Sequence, residues 1–227
     1  MDESSKSVII AIDGPAGAGK STVAKAVATQ LGYRLVDTGA IYRAVALSAT
    51  RQGIAFKDES GLARIVSNLN ITFHMTQSVN HVILDGEDIS ELIRTAEISQ
   101  GASIVSAHPK VRTGLLELQR RLAGEGGAVL EGRDIGTVVC PNAQVKIFLD
   151  ASADERARRR QQDLKQAGVT VSKDKVLAEI KERDDRDTKR ATAPLIAAKD
   201  AIVLDSTKLS IAEVVQQIVL KVKSALP

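Results

Sequence analysis

A chain of 227 residues with 44% hydrophobic content can bury one sizeable core, or a core carrying small appended lobes. Aromatic residues make up only 2% and Trp is absent, so that core must come from Val, Ile, Leu and Ala, as suits helices on a parallel sheet. A net charge of +3 is too small to argue for nucleic-acid binding, the lone Cys140 rules out an intramolecular disulfide, and no apolar run approaches the roughly 20 residues that cross a bilayer. Met1 to Lys6 carry acidic residues and lack the apolar stretch of a signal peptide, so the cytosol is the expected compartment.

Val8 to Ile12 is a β-branched run that reads as a strand. A glycine-rich turn follows, then a helix with Val23, Val27 and Leu31 at i+4 spacing and a stop at Gly32. Leu35 and Val36 form a second strand, and Thr38 is expected to cap a helix running from Gly39 to near Gly53. This βαβα opening implies a parallel sheet. After a short helix at Gly61 to Leu69 the rhythm changes. Ile71 to Met75 and His81 to Leu84 read as two antiparallel strands joined by the polar turn Thr76 to Asn80, with a further turn at Asp85 to Glu87.

Helices are expected at Thr95 to Ala107 and at Pro109 to Ala123, the second with Pro at its start and Gly124 past its end. Ala128 to Leu130, Val145 to Leu149 and Ala201 to Leu204 are short apolar runs of the kind buried inside a sheet, which brings the parallel strands to five. Ser152 to Glu155 has capping-box spacing and opens an arginine-rich helix ending before Gly168. A charged helix at Lys175 to Asp187 follows, and a last helix opens on the capping box Ser210 to Glu213.

Gly14-Pro15-Ala16-Gly17-Ala18-Gly19-Lys20-Ser21 fits G-x-x-x-x-G-K-[ST] and sits between a predicted strand and a predicted helix, the context the motif requires. Its glycines let backbone N–H groups face phosphate oxygens, with the positive end of the following helix dipole behind them. Lys20 would neutralise the β- and γ-phosphates, and the Ser21 hydroxyl would ligate Mg²⁺ directly.

The motif specifies a nucleotide but not a reaction. Arg43 lies one turn into the helix after the second strand, at the carboxyl edge where α/β sheets bind ligands. It is either a holder of an acceptor phosphate or an ordinary solvated arginine. Glu131, Gly132, Arg133 and Asp134 directly follow a buried strand. There Glu131 can hold Mg²⁺ through water and Arg133 can reach phosphate, the alternative being a surface pair of Arg133 with Asp134. Between Arg156 and Arg190 twelve Lys/Arg stand against seven Asp/Glu. Arg183, Arg186 and Arg190 share one helical side, as do Arg156, Arg159 and Arg160. Clustered like charges repel by a few tenths of a kcal/mol per pair unless an anion sits opposite. A mobile arm closing over a polyphosphate accounts for both clusters, while an Arg183–Asp187 surface pair is the plainer alternative.

These segments resemble the P-loop nucleoside monophosphate kinases, and among them the bacterial cytidylate (CMP) kinases. The resemblance is carried by Ile12 to Thr22, Asp37 to Arg43, Gly132 to Val139, Lys146 to Ala151 and Lys181 to Asp187, in the family's order over nearly the whole chain. The antiparallel insert at 70 to 90 resembles the enlarged acceptor lobe of those enzymes. The resemblance implies a P-loop kinase α/β fold, a three-layer core around a five-stranded parallel sheet with a helical lid. It implies a core at 1–37, 109–153 and 191–227, an acceptor lobe at 38–108, and a lid at 154–190.

It further implies ATP bound by Gly14 through Thr22, and catalysis by Lys20, Arg133, Arg183 and Arg190. Thr38, Arg43, Arg133 and Arg190 would surround the acceptor phosphate, Ser103, Arg112 and Asp134 would read the cytosine, and Arg183 with Asp187 would touch the ribose. Thr38 stands where the family carries serine, which keeps the hydroxyl and adds a methyl. The implied reaction is Mg²⁺- and ATP-dependent phosphorylation of CMP and dCMP by a cytoplasmic monomer, with no nucleic-acid or membrane partner. The rivals are a P-loop kinase for another small acceptor such as UMP, and a switch GTPase. The guanine-reading N-K-x-D of the latter is absent, since Asp205-Ser206-Thr207-Lys208 occupies its region.

Overall fold

The computed structural model describes residues 8–76, 79–166 and 168–226. Met1 to Lys6, and Gln77 and Ser78 of the expected turn, lie outside the described residues. Five strands form one parallel sheet: β1 (Ile9–Asp13), β2 (Arg34–Asp37), β6 (Ala128–Gly132), β7 (Val145–Asp150) and β8 (Ile202–Asp205), in the order β2-β6-β1-β7-β8. A second, antiparallel sheet holds β3 (Ile71–Thr76), β4 (Val79–Leu84) and β5 (Glu87–Asp88). The two residues of β5 extend what reads in the sequence as a turn; a strand that short carries no periodic signal.

Register aligns the carboxyl ends of three strands. Asp13 lies opposite Gly132, and Asp37 opposite Glu131. Everything attached just beyond these ends, namely the glycine-rich loop, the start of α2 (Thr38–Arg51) and the segment after β6, is thereby brought to one rim.

Helices α1 (Lys20–Leu31) and α8 (Ile211–Ala225) cover one face of the sheet, where Val23, Val27, Ile218 and Val222 pack on Ile10, Ile12 and Ile147. Each fully buried Ile or Leu there contributes about 1.5–3 kcal/mol. Helices α2, α3 (Glu59–Ser67), α4 (Ala96–Val105) and α5 (Pro109–Ala123) share a second core with the antiparallel sheet, centred on Ile41, Val45, Leu62, Ile71 and Leu115. Helices α6 (Ala153–Gln166) and α7 (Lys173–Lys189) pack on each other through Ala157, Val176 and Ile180 alone among fully buried apolar residues. So small an apolar core leaves polar contacts to fix how this pair sits on the rest of the chain.

Two local features differ from the sequence expectation. Asp37, not Thr38, caps α2, its Oδ1 accepting from the Ala40 N–H at 2.9 Å. The Thr38 hydroxyl is thereby free to donate to the Glu131 carbonyl at 2.7 Å, tying α2 to β6. Beyond β6, Ile135–Val139 form one π-helical turn. It is pinned by Asp13, which accepts the Ile135 and Gly136 N–H groups at 2.8 Å each. Burial pushes the Asp13 carboxyl up to about 6, against the opposing effect of those two amide donors.

Gly14 has φ +149°, and a Cβ placed on it would lie 1.9 Å from the Leu149 carbonyl oxygen on β7. That contact is with backbone, which cannot swing aside. Gly14→Ala is therefore expected to destabilise the fold by about 2–4 kcal/mol, combining overpacking with backbone strain. Denaturant midpoints of the two proteins check this; a loss within about 0.5 kcal/mol would contradict the close approach.

Candidate active site

The glycine-rich loop leaves β1 at Asp13 and enters α1 through Gly19, which adopts the left-handed φ of 87°. Helix α1 has no side-chain cap, so its first N–H groups face the loop's concavity, a ready anion cradle. Lys20 is buried, and its Nζ donates to the Pro15 carbonyl at 2.7 Å. Burial, and after it the nearby Arg133 charge, pull the Lys20 ammonium well below the usual lysine value. Ser21 Oγ donates to Glu131 Oε2 at 2.9 Å. Burial and the neighbouring Asp37 carboxylate push Glu131 up to about 7.

The segment after β6 and the end of α7 supply interlocked ion pairs. Arg133 Nε bonds Asp187 Oδ2 at 2.8 Å, and Arg112 Nη2 bonds Asp134 Oδ2. Arg190 lies 3.5 Å from the second Asp134 oxygen and 3.9 Å from Asp187. Burial acts to raise Asp187, but Arg133 and Arg183 outweigh it and hold the carboxyl below its ordinary value. Arg43 pairs with Asp37 at 2.7 Å. The Arg112 guanidinium sits 5.5 Å over the centre of the Tyr42 ring, a cation–π arrangement that fixes its plane.

The ion pairs do not use all the arginine donors. Among the described residues, Arg43 Nε, Arg112 Nε, Arg183 Nε and Arg190 Nη2 are buried and have no hydrogen-bond partner. Burial and the adjacent Arg133 charge lower Arg183 to about 10. Buried guanidinium nitrogens without acceptors, on arginines whose charges oppose one another, describe a site built for a polyanion.

The residues singled out in the sequence meet at this rim. Gly14 through Thr22, Thr38, Arg43, Arg112, Glu131, Arg133, Asp134, Arg183, Asp187 and Arg190 lie in or directly contact the arrangement described. Ser103 is not tied to these residues directly: its hydroxyl accepts from Arg186 Nη1 at 2.7 Å, a contact between α4 and α7. Arg183 and Asp187 do not close on each other as a surface pair, since Asp187 is taken by Arg133. Arg133 and Asp134 likewise each have another partner.

The expected arginine face of α6 loses two of its three members. Arg156 turns to the Ala16 carbonyl and Asp184, and Arg159 binds Ser206 and Glu155. Helical spacing groups the three arginines on one side, but Arg156 and Arg159 follow different acceptors, while the Arg160 charge acts on Arg183. Residues missed by sequence reasoning are Asp13, which anchors the π-turn, and Tyr42, which backs Arg112. A carboxylate ending a buried strand was the available signal for the first. The second needs three-dimensional proximity.

The chain matches the family described as cytidylate kinase over residues 10–224. It is 50% identical over 209 residues to a cytidylate kinase from Klebsiella pneumoniae (strain 342), covering 92% of each chain. It is 50% identical over 220 residues to one from Aliivibrio salmonicida (strain LFI1238), covering 97% of this chain and 98% of the other. A crystal structure of an uncharacterized protein from Eubacterium ventriosum ATCC 27560 superposes with TM-score 0.54 at 15% identity over 96% and 99% of the two chains, a likeness of fold alone. With a family match over residues 10–224 and half of its residues shared with such relatives along nearly its full length, the chain belongs to the cytidylate kinase family.

Proposed function

We propose that this protein transfers the γ-phosphoryl group of ATP to CMP and dCMP by in-line displacement. One observation carries the reading: buried arginines from α2, α5 and α7 keep guanidinium nitrogens without acceptors among the described residues, and the charges of Arg133 and Arg183 act directly on Lys20. The donor triphosphate lies on the amides of Gly14 through Thr22, with Lys20 released from Pro15 to its β- and γ-phosphates. Thr38, Arg43, Arg133 and Arg190 hold the acceptor phosphate, while Ser103, Arg112 and Asp134 read the cytosine and Arg183 with Asp187 meets the ribose. The acceptor is already an anion, so no strong general base is required. Positioning and charge neutralisation by Lys20, Arg133, Arg183 and Arg190 supply the acceleration.

In this reading residues 38–108 form the acceptor lobe and 154–190 a lid on a core of 1–37, 109–153 and 191–227. The small apolar core of the α6–α7 pair supports that division. A monomer working in the cytoplasm completes the proposal, the compartment being supported by the single, buried Cys140. No helix among the described residues is long and apolar enough to cross a membrane.

The residues at the cradle suit Mg²⁺. Ser21 Oγ and the Glu131 carboxylate meet at 2.9 Å and offer oxygen donors of the kind a small hard cation takes. Ser21 would bind it directly and Glu131 through water, and the bound ion would neutralise phosphate charge. Glu131 titrates near 7, so it is neutral below that pH and binds a cation less well. The Mg²⁺ concentration giving half-maximal rate is therefore expected to fall as pH rises from 6 to 8. Glu131→Gln should remove the part of that dependence not due to ATP itself, and an identical profile in the variant would contradict the assignment.

The overall reading is tested by ADP release across CMP, dCMP, UMP and AMP with ATP as donor. CMP and dCMP are expected to be the good acceptors, and a preference for UMP or AMP would overturn it.

A further inference from the structure

Arg156 does not face the phosphate site, yet it is among the best-held side chains of the molecule. Only 7% exposed, it lies in the first turn of α6 and donates through Nε to the Ala151 carbonyl at 2.9 Å. Through Nη1 it donates both to the Ala16 carbonyl at 2.9 Å and to Asp184 Oδ2 on α7. The other Asp184 oxygen accepts the Ala16 N–H at 3.3 Å. The two side chains thus grip both sides of the glycine-rich loop at one residue. Gly17 next to it is needed for the approach, because a Cβ there would lie 3.2 Å from Arg156 Cβ and 3.3 Å from its carbonyl.

The residue before Asp184 is Arg183, whose buried Nε lacks an acceptor among the described residues. We propose that Arg156 and Asp184 are positioning residues, a clamp on the Ala16 peptide that sets the register of α7 against the phosphate cradle and so aims Arg183 at the transferring group. The inference rests on the kinase reading given above. Its physical basis is placement: the apolar core of the α6–α7 pair fixes those helices to each other, Asp187 and Arg186 hold the end of α7 to Arg133 and Ser103, and Arg156 with Asp184 ties the pair to the loop. A charged pair bound to a backbone peptide supplies direction as well as attraction. A misplacement of about 1 Å at a transfer site costs on the order of a hundredfold in rate.

The test is a double-mutant cycle on kcat with thermal midpoints measured throughout. Asp184→Ala is expected to lower kcat by about ten- to a hundredfold with KM for CMP changed less than about twofold. In the Arg183→Ala background it should lower kcat no further, because the clamp acts through Arg183. Losses that multiply, or an unchanged kcat in folded Asp184→Ala, would overturn the clamp alone. Full kcat in Arg183→Ala would instead remove Arg183 from the transfer step, and the clamp's route with it. Should Asp184→Ala fold poorly, Asp184→Asn keeps an acceptor for Ala16 while losing the charge pair, and the same cycle applies with a smaller first loss.

Discussion

Replacing Arg190 with alanine is expected to lower kcat for CMP phosphorylation by about a thousandfold, the scale at which arginines act on phosphoryl transfer. The reason is geometric. Arg190 lies just past the end of α7, its side chain 5% exposed, anchored through Nε to the Ala193 carbonyl at 2.6 Å. Nη2 is left without a hydrogen-bond partner among the described residues, and burial with the nearby Arg112 charge lowers its pKa. Removing it does not abandon its carboxylate neighbours. Asp134 keeps Arg112, and Asp187 keeps Arg133. The fold should therefore survive with a thermal midpoint within about 4 °C of the parent. Steady-state kinetics beside a melting curve separate the two effects, and an unchanged rate would remove Arg190 from the mechanism.

The second large effect concerns choice of acceptor. Cytosine offers an amino donor where uracil offers a carbonyl, and a buried carboxylate accepts from the first and repels the second. Asp134 is 5% exposed and held by Arg112 and Arg190, so it can neither turn away nor recruit water easily. A site built around one hydrogen-bonding pattern discriminates by up to about 10⁴ against a partner that leaves it unpaired. Asp134→Asn supplies an amide that can donate to a carbonyl. The ratio of kcat/KM for CMP over UMP is expected to fall by about a hundredfold or more. Two arginines lose a counter-charge in this variant, so its stability should fall as well. The ratio is independent of how much enzyme is folded, which makes it the deciding quantity, and a ratio left intact would take Asp134 out of base reading.

Much of this architecture is legible in the sequence because the parallel strands are short apolar runs and the helices carry their caps in plain view. Ser210 with Glu213 forms the expected reciprocal box, and Gly32 stops α1 where its position implies. The phosphate cradle is equally legible, since glycine spacing there is a direct record of backbone geometry. Side-chain partners of the arginines are not. Arg156, Arg159 and Arg160 share a helical face in sequence, but burial beside Ala16 and Ser206 decides where the first two point. The π-turn after β6 also escapes pattern reading, because it depends on Asp13, more than 120 residues away in the chain. Asp37 capping α2 in place of Thr38 shows the same limit at close range, for the hydroxyl is drawn to a carbonyl on a different strand.

What most needs measuring is whether the arginines close on the group in flight. A crystal structure with ADP, CMP and a planar aluminium or magnesium fluoride in the γ-phosphoryl position would report it directly. Arg133, Arg183 and Arg190 are expected within hydrogen-bonding distance, about 3 Å, of the fluoride or the acceptor phosphate, with Lys20 on the opposite flank. Guanidinium groups still engaged only with Asp134 and Asp187, and remote from the fluoride, would contradict the account.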